Sequence, residues 1–230
     1  DLVRSRGLGD VYKRQPQTHN FVREIQPPPL APLPSEAYLA AVQHLTKIAD
    51  IDIIRLHDEQ EAAVYRPSFV GAYQTIFSEP PYNELFYPYE AEGVLARTLQ
   101  TPDHIALLAV RGITVVGFGF AVPLAHRKDV AREVQGLLPI QPTYYLSELG
   151  MLNKVRGLGL GGELIRLRLE MINRAKYSHV LLRTSATRHA GYDMYLKRGF
   201  QDIGVYMEVH SRRIDGQVTT DRRLFLSQVL

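Results

Sequence analysis

A run of glycines between a strand and an amphipathic helix constrains this chain more than any other feature. Residues 143–174 read TYYLSELGMLNKVRGLGLGGELIRLRLEMINR. The aromatic and branched residues from Tyr144 to Leu152 predict a strand. Gly157, Gly159, Gly161 and Gly162 follow, and then a helical spacing puts Leu164, Leu167, Met171 and Ala175 on one face. Glu163, Arg166, Glu170 and Arg174 lie mostly off that face. Strand, glycine-rich turn and helix together make a site for phosphate. The first N–H groups of a helix have no partner within it, glycine lets an anion approach them, and the helix dipole favours negative charge there.

The glycines can be read in two ways. Gly157 to Gly162 fits GxGxxG, the dinucleotide fingerprint of a nicotinamide-dependent enzyme. That fingerprint expects an acidic residue about 20 positions later, on the next strand, and Val180 to Thr184 ends without one. It also expects the loop after the first strand, whereas here it comes about two thirds of the way along the chain. The other reading is Arg156-x-x-Gly159-x-Gly161. Several chemistries lack their residues. The chain has no cysteine, which excludes disulfides, thiolate metal sites and a cysteine acyl-enzyme. Its eight histidines form no HxH, HxxxH or HExxH pair, so no metal is expected. There is no GxSxG elbow and no GxxxxGK[ST] loop. The net charge is +3, of which +2 sits in residues 1–15. The nearly neutral remainder argues against a nucleic-acid partner. No apolar run is long enough to span a bilayer, so no membrane partner is expected, and the chain reads as cytoplasmic.

Residues 1–15, DLVRSRGLGDVYKRQ, have no useful periodicity and resemble a translated sequencing-adapter scar. Residues 16–34 carry Pro27-Pro28-Pro29 and Pro32-Leu33-Pro34 and read as an extended linker. Ser35 is placed to cap an accessory helix over 35–50, with Leu39, Val42, Leu45 and Ile48 apolar. The main domain is expected over 51–230. It begins with a strand over 51–56, one or two helical pieces over 59–77 broken near Pro67, a turn-rich segment over 79–84 and a helix over 90–100. A hairpin over 105–110 and 115–122 precedes an insertion of undefined structure over 124–142. After the central strand, loop and helix come a strand over 180–184, a short helix over 190–198 ended by Gly199, and a last hairpin over 205–210 and 223–228. This order implies a mixed α/β fold with one crossover in its second half.

Arg156-x-x-Gly159-x-Gly161 resembles the pyrophosphate loop of the GNAT superfamily of acetyl-CoA-dependent N-acetyltransferases, and the resemblance covers roughly 51–210. Tyr195-Leu196-Lys197-Arg198-Gly199-Phe200 is similar to that family's Tyr-x-x-x-Gly-Phe, and Glu79-Pro80-Pro81-Tyr82 to a segment of its bacterial members. Arg188 and Gly191 stand where the family often has Asn and Ala. The resemblance implies a mostly antiparallel central sheet with flanking helices. It implies acetyl-CoA as co-substrate, with Met151, Val155, Arg156, Gly157, Gly159, Gly161 and Gly162 around it. It implies transfer to a primary amine by direct attack in a ternary complex, with Tyr195 as acid for the sulfur. Glu148, on the same strand and flanked by apolar residues, is the candidate base, and Ser147 is placed to orient either group. Tyr82 and Asn83 are the acceptor-side candidates, with Phe86, Tyr87 and Tyr89 as further wall. The acceptor is expected to be a small-molecule amine, with a peptide or protein amine and a homodimer left open. The alternative to an enzyme is a non-catalytic acyl-CoA-binding module.

Overall fold

Runs such as Ile105 to Val110 and Val115 to Val122 are apolar on both strand faces, as strands covered on both sides must be. The computed structural model describes residues 42–80, 82–187 and 190–230. These runs become the middle of an eight-stranded sheet with order β1-β2-β3-β4-β5-β6-β8-β7. The strands are β1 Gln43–Ile48, β2 Ile51–Leu56, β3 Ile105–Arg111, β4 Thr114–Pro123, β5 Thr143–Met151, β6 His179–Ser185, β7 Gln201–Arg212 and β8 Val218–Val229. Every pairing is antiparallel except β5 with β6. The helices are α1 Glu59–Ala62, α2 Arg66–Ser78, α3 Pro88–Leu99, α4 Lys128–Glu133, α5 Leu160–Met171 and α6 Ala190–Leu196.

Two layers cover the sheet. On one face α2 and α3 bury Phe69, Tyr73, Ile76 and Leu95 against Ile54, Leu108, Phe118 and Phe120. On the other, α5 buries Leu160, Leu164 and Ile165 against Ile51, Ile53, Leu107 and Leu146. A third cluster sits where α4 meets the far half of the sheet, with Val130 and Val134 against Tyr145, Leu181 and Phe225. Local chemistry ends the helices where they stop. Asp58 caps α1 by accepting from the Glu61 N–H at 2.8 Å, and the Glu61 carboxylate accepts the His57 N–H at 2.7 Å. Pro67 sits in the first turn of α2, where no intrahelical donor is needed.

The mixed, mostly antiparallel sheet agrees with expectation, and the accessory helix does not. Residues 43–48 of that helix are β1, paired antiparallel with β2; residues 1–41 lie outside the described residues. The ladder shifts register between His44 and Thr46. That bulge places Leu45 and Ile48, three residues apart, against the same core. A bulged edge strand thus carries a helix-like spacing. The insertion over 124–142 holds a single 3₁₀ turn, Leu124–His126, followed by α4. The final hairpin is longer than expected, running as β7 and β8 with a turn at Gly216 (φ +84°). α5 stops at Met171, before Arg174.

Candidate active site

Strands β5 and β6 pair only from Thr143 to Leu146 against His179 to Leu182. Beyond that the two separate, so Glu148 to Met151 pair with β4 on one side and, among the described residues, Ser147 to Met151 have no strand partner on the other. A bulge sets the geometry of this open length. Phe120 faces Glu148 but Ala121 faces Leu146, leaving Ser147 as the extra residue. Tyr145 packs on the α4 side of the sheet and Leu146 on the α5 side. Strict alternation would send Glu148 with Leu146 toward α5. The bulge sends it to the opposite face, where the Tyr73 hydroxyl of α2 donates to its Oε2 at 3.4 Å.

The buried Arg168 of α5 holds the bulge from behind. Its Nη1 donates to the carbonyls of Phe120 (3.1 Å) and Glu148 (3.0 Å), and its Nε donates to Leu164 O (3.1 Å). Gly119 makes the room: a Cβ there would stand 3.1 Å from Nε. Nη2 has no partner among the described residues. Burial pushes this guanidinium below the usual arginine range, while Tyr195 and Glu148 act in the other direction. No periodicity marked Arg168, because an arginine on a helix is ordinarily solvated.

Glu148 opens into a cleft of about 910 Å³. Burial raises its carboxyl above the ordinary range; the positive charges of Arg183 and Arg127 and the Tyr73 hydroxyl act against that, and Glu84 acts with it. The Tyr73 hydroxyl is itself pushed well up, by burial first and then by Glu148, so it keeps its proton and donates. Tyr195 of α6 lines the same cleft, 7 % exposed, with its ring edge-on to Phe200 at 5.5 Å. The structure therefore brings Glu148, Ser147 and Tyr195 to one cavity. Ser147 Oγ is buried there without a partner among the described residues.

The acceptor-side candidates divide. Tyr82 lines the cleft, set edge-on to Phe77 at 5.2 Å, and burial raises its hydroxyl. Phe86 lines it too. Asn83 is not among the lining residues; it turns the chain at φ +50° and its carbonyl accepts the Ile214 N–H at 3.1 Å. Tyr87 and Tyr89 stack on each other in solvent, 43 % and 67 % exposed, with the Arg212 guanidinium over Tyr87. The β7–β8 hairpin walls the cleft through Val209, His210, Ser211 and Arg223, and its end is tied over the 82–85 segment. Leu85 N donates to Arg212 O at 2.7 Å, and Arg213 Nη1 donates to the carbonyl of Tyr82. The Arg223 guanidinium meets the buried Glu84 carboxylate at 2.5 Å. Sequence reading missed Glu84, Arg183 and Arg223: Glu84 and Arg223 meet only when the long hairpin folds over the 82–85 segment, and Arg183 reaches the cleft only where β5 and β6 part.

The glycine loop lies beyond the open end of β5. Val155 N and Arg156 N are spent on Leu152 O and Asn153 O, at 3.1 Å each, within the turn Asn153–Val155. From Gly157 to Gly162 no backbone N–H has a partner among the described residues, until Glu163 N reaches Gly159 O at 3.1 Å. Gly157 and Gly159 take φ +81° and +85°, which only glycine adopts readily, with open space where a Cβ would stand. Gly161 lets α5 close on β5: a Cβ there would meet Met151 Cε at 2.7 Å. Arg156 is drawn to the loop by Met151 O (3.3 Å) and Glu79 (4.0 Å). Arg198 reaches over Gly162, its Nη2 2.5 Å from where a Cβ would be.

Residues 66–200 match the sequence profile of the acetyltransferase (GNAT) family. The chain belongs to that family. GNAT members carry out acetyl-CoA-dependent acetyl transfer, so this is an acetyltransferase. Solved structures share the fold. Ribosomal-protein-alanine N-acetyltransferase from Brucella melitensis aligns with a TM-score of 0.54 at 17% identity, over 82% of this chain and 99% of its own. Arabidopsis thaliana NAA60 bound to acetyl-CoA aligns at 0.52 and 14% identity, over 78% of this chain and 98% of its own. Ard1 from Thermoplasma volcanium aligns at 0.53 and 11% identity, over 79% and 99%. No curated protein matches the chain. Arg188, where the family often has Asn, lies outside the described residues.

Proposed function

We propose that this GNAT enzyme moves the acetyl group of acetyl-CoA to a primary amine by direct attack in a ternary complex, with Glu148 as base and Tyr195 as acid. One observation carries the reading: the bulge at Ser147 turns Glu148 into the same cleft as Tyr195, on the length of β5 that has no β6 partner. The open backbone of Ser147 to Met151 suits the amides of the pantetheine arm, which need main-chain partners. The unpartnered N–H row from Gly157 to Gly162 suits the pyrophosphate, with Arg156 and Arg198 adding positive charge.

Glu148 takes a proton from the acceptor ammonium, leaving a neutral nitrogen. As the C–N bond forms and the C–S bond breaks, Tyr195 protonates the leaving sulfur. The proton shed by the nitrogen restores the tyrosine through solvent, and Glu148 releases its own proton to solvent before the next turnover. Burial of Glu148 serves this role because a carboxyl pushed above its ordinary range is a stronger base for an ammonium. Tyr82 and Phe86 wall the acceptor side of the cleft. The test is release of free thiol from acetyl-CoA across amino acids, polyamines, aminoglycosides and peptides. Turnover of at least one amine by the parent, lost in Glu148→Gln at unchanged coenzyme A affinity, is expected. Coenzyme A binding with no turnover of any amine would refute it in favour of a binding module.

A further inference from the structure

Two arginines of the cleft are spent on carboxylates, and two others, Arg97 and Arg183, have none within reach among the described residues. Arg127 grips Asp129 with two bonds of 3.1 and 2.9 Å, and Arg223 meets Glu84 at 2.5 Å. Arg183 is half-buried, and among the described residues it has no carboxylate within 4.0 Å. Among the described residues its one side-chain hydrogen bond runs from Nη1 to the Met207 sulfur at 3.1 Å, and a thioether is a weak acceptor. A half-buried guanidinium with so poor a partner has donors left for a ligand.

Its position is specific. Arg183 follows Leu182, the last β6 residue paired with β5, and shares a strand face with Leu181. It therefore enters the cleft at the point where β5 and β6 part, across from Glu148. Of the charges acting on the Glu148 carboxyl, Arg183 is the largest. A base for an ammonium and a free guanidinium thus face each other across the separating strands.

Building on the acetyltransferase reading, we infer that the acceptor is a small amine carrying a carboxylate near its nitrogen, of the α-amino acid type, whose carboxylate is held by Arg183. The planar guanidinium fork matches a carboxylate in a way that an ammonium or amide does not. A second amine in place of the carboxylate would put like charge against Arg183.

The experiment compares kcat/KM, by thiol release, within trios built on leucine, serine and phenylalanine. Each trio holds the free amino acid, its α-carboxamide and the decarboxylated amine. The free acid of at least one trio should lead its neutral partners by roughly 10- to 100-fold, the worth of one hydrogen-bonded charge pair. The carboxamide has the more acidic ammonium, so this preference runs against solution reactivity. Arg183→Met should bring the ratio within the trio close to one, and Arg183→Lys should retain part of it. Both members of each comparison face the same Glu148, so any change in that carboxyl cancels in the ratio. Coenzyme A titration calorimetry establishes that the variants are folded; if Arg183→Met does not fold, the parent trios and Arg183→Lys decide. Neutral amines turned over as well as the acids, a preference that survives Arg183→Met, or peptides outpacing every amino acid would each overturn the inference while leaving the acetyltransferase reading intact. No amine turned over at all would overturn both.

Discussion

Replacing Arg168 with methionine tests whether the bulge is the device that delivers Glu148, the proposed base, to the cleft. Methionine has nearly the length to fill the space, and Gly119 leaves that space open. The carbonyls of Phe120 and Glu148 each lose a bond to a charged donor, about 1.5–3 kcal/mol apiece. The Leu164 carbonyl keeps its place in the helix ladder. Against this, a fully buried guanidinium with one unpartnered nitrogen no longer has to be desolvated, which recovers several kcal/mol. The net loss should be about 1–3 kcal/mol, or a fall in Tm of about 2–12 °C for a domain of this size. Activity should fall further than stability suggests. A shift of about 1 Å in the Glu148 carboxylate costs kcat on the order of 10², while KM for acetyl-CoA should hold, because the Gly157–Gly162 loop is untouched. Arg168→Lys keeps the charge and reaches fewer carbonyls, so it should recover part of kcat. Denaturant unfolding and steady-state thiol release measure the two effects. A variant with parental kcat and reduced Tm would show that the guanidinium only holds the fold; parental values of both would refute the clamp.

Tyr195→Phe should lower kcat by roughly 10² to 10⁴ with coenzyme A affinity unchanged, since the ring and its contact with Phe200 remain; parental turnover would remove the acid. Glu148→Gln should abolish the rise of kcat/KM through the elevated Glu148 titration, with the deficit shrinking as pH approaches the amine's own pKa; a parental pH profile would remove the base. The groups facing that carboxyl are Tyr73, Arg183, Arg127 and Glu84, and burial outweighs them to raise it. A raised carboxyl favours the protonated folded state, so its stabilising contribution is complete below the unfolded pKa and is lost as pH rises through the folded one. Glu148→Gln should therefore gain stability relative to the parent at neutral pH and not at acidic pH, read by Tm against pH. Gly159→Val, at φ +85° where valine is strained and where a Cβ would enter the open space at the loop, should remove coenzyme A affinity; calorimetry showing parental affinity would move the pyrophosphate site elsewhere.

Which residues form the strand, loop and helix from Thr143 to Met171 is written locally. Branched and aromatic residues, closely spaced glycines and a 3.6-residue apolar period each act over a few neighbours. The same holds for the turn at Gly199 (φ +87°) and for the hairpin of β3 and β4. These short-range features were enough to place the chain near its family and to name Glu148 and Tyr195. Two bulges lay beyond them. The one at His44–Thr46 gives an edge strand the spacing of a helix, and the one at Ser147 reverses the face that Glu148 presents. A bulge exists only between two strands, so alternation within one strand cannot reveal it. The pairing of Arg223 with Glu84 spans 139 residues, the Arg168 clamp reaches across to another layer, and the isolation of Arg183 depends on which carboxylates the fold leaves out of reach. The sequence by itself determined the local elements and the order in which they occur. Only the tertiary structure decided which charges are paired, that Arg183 has no carboxylate in reach among the described residues and which way Glu148 points, because electrostatics and burial depend on distance in space and not along the chain.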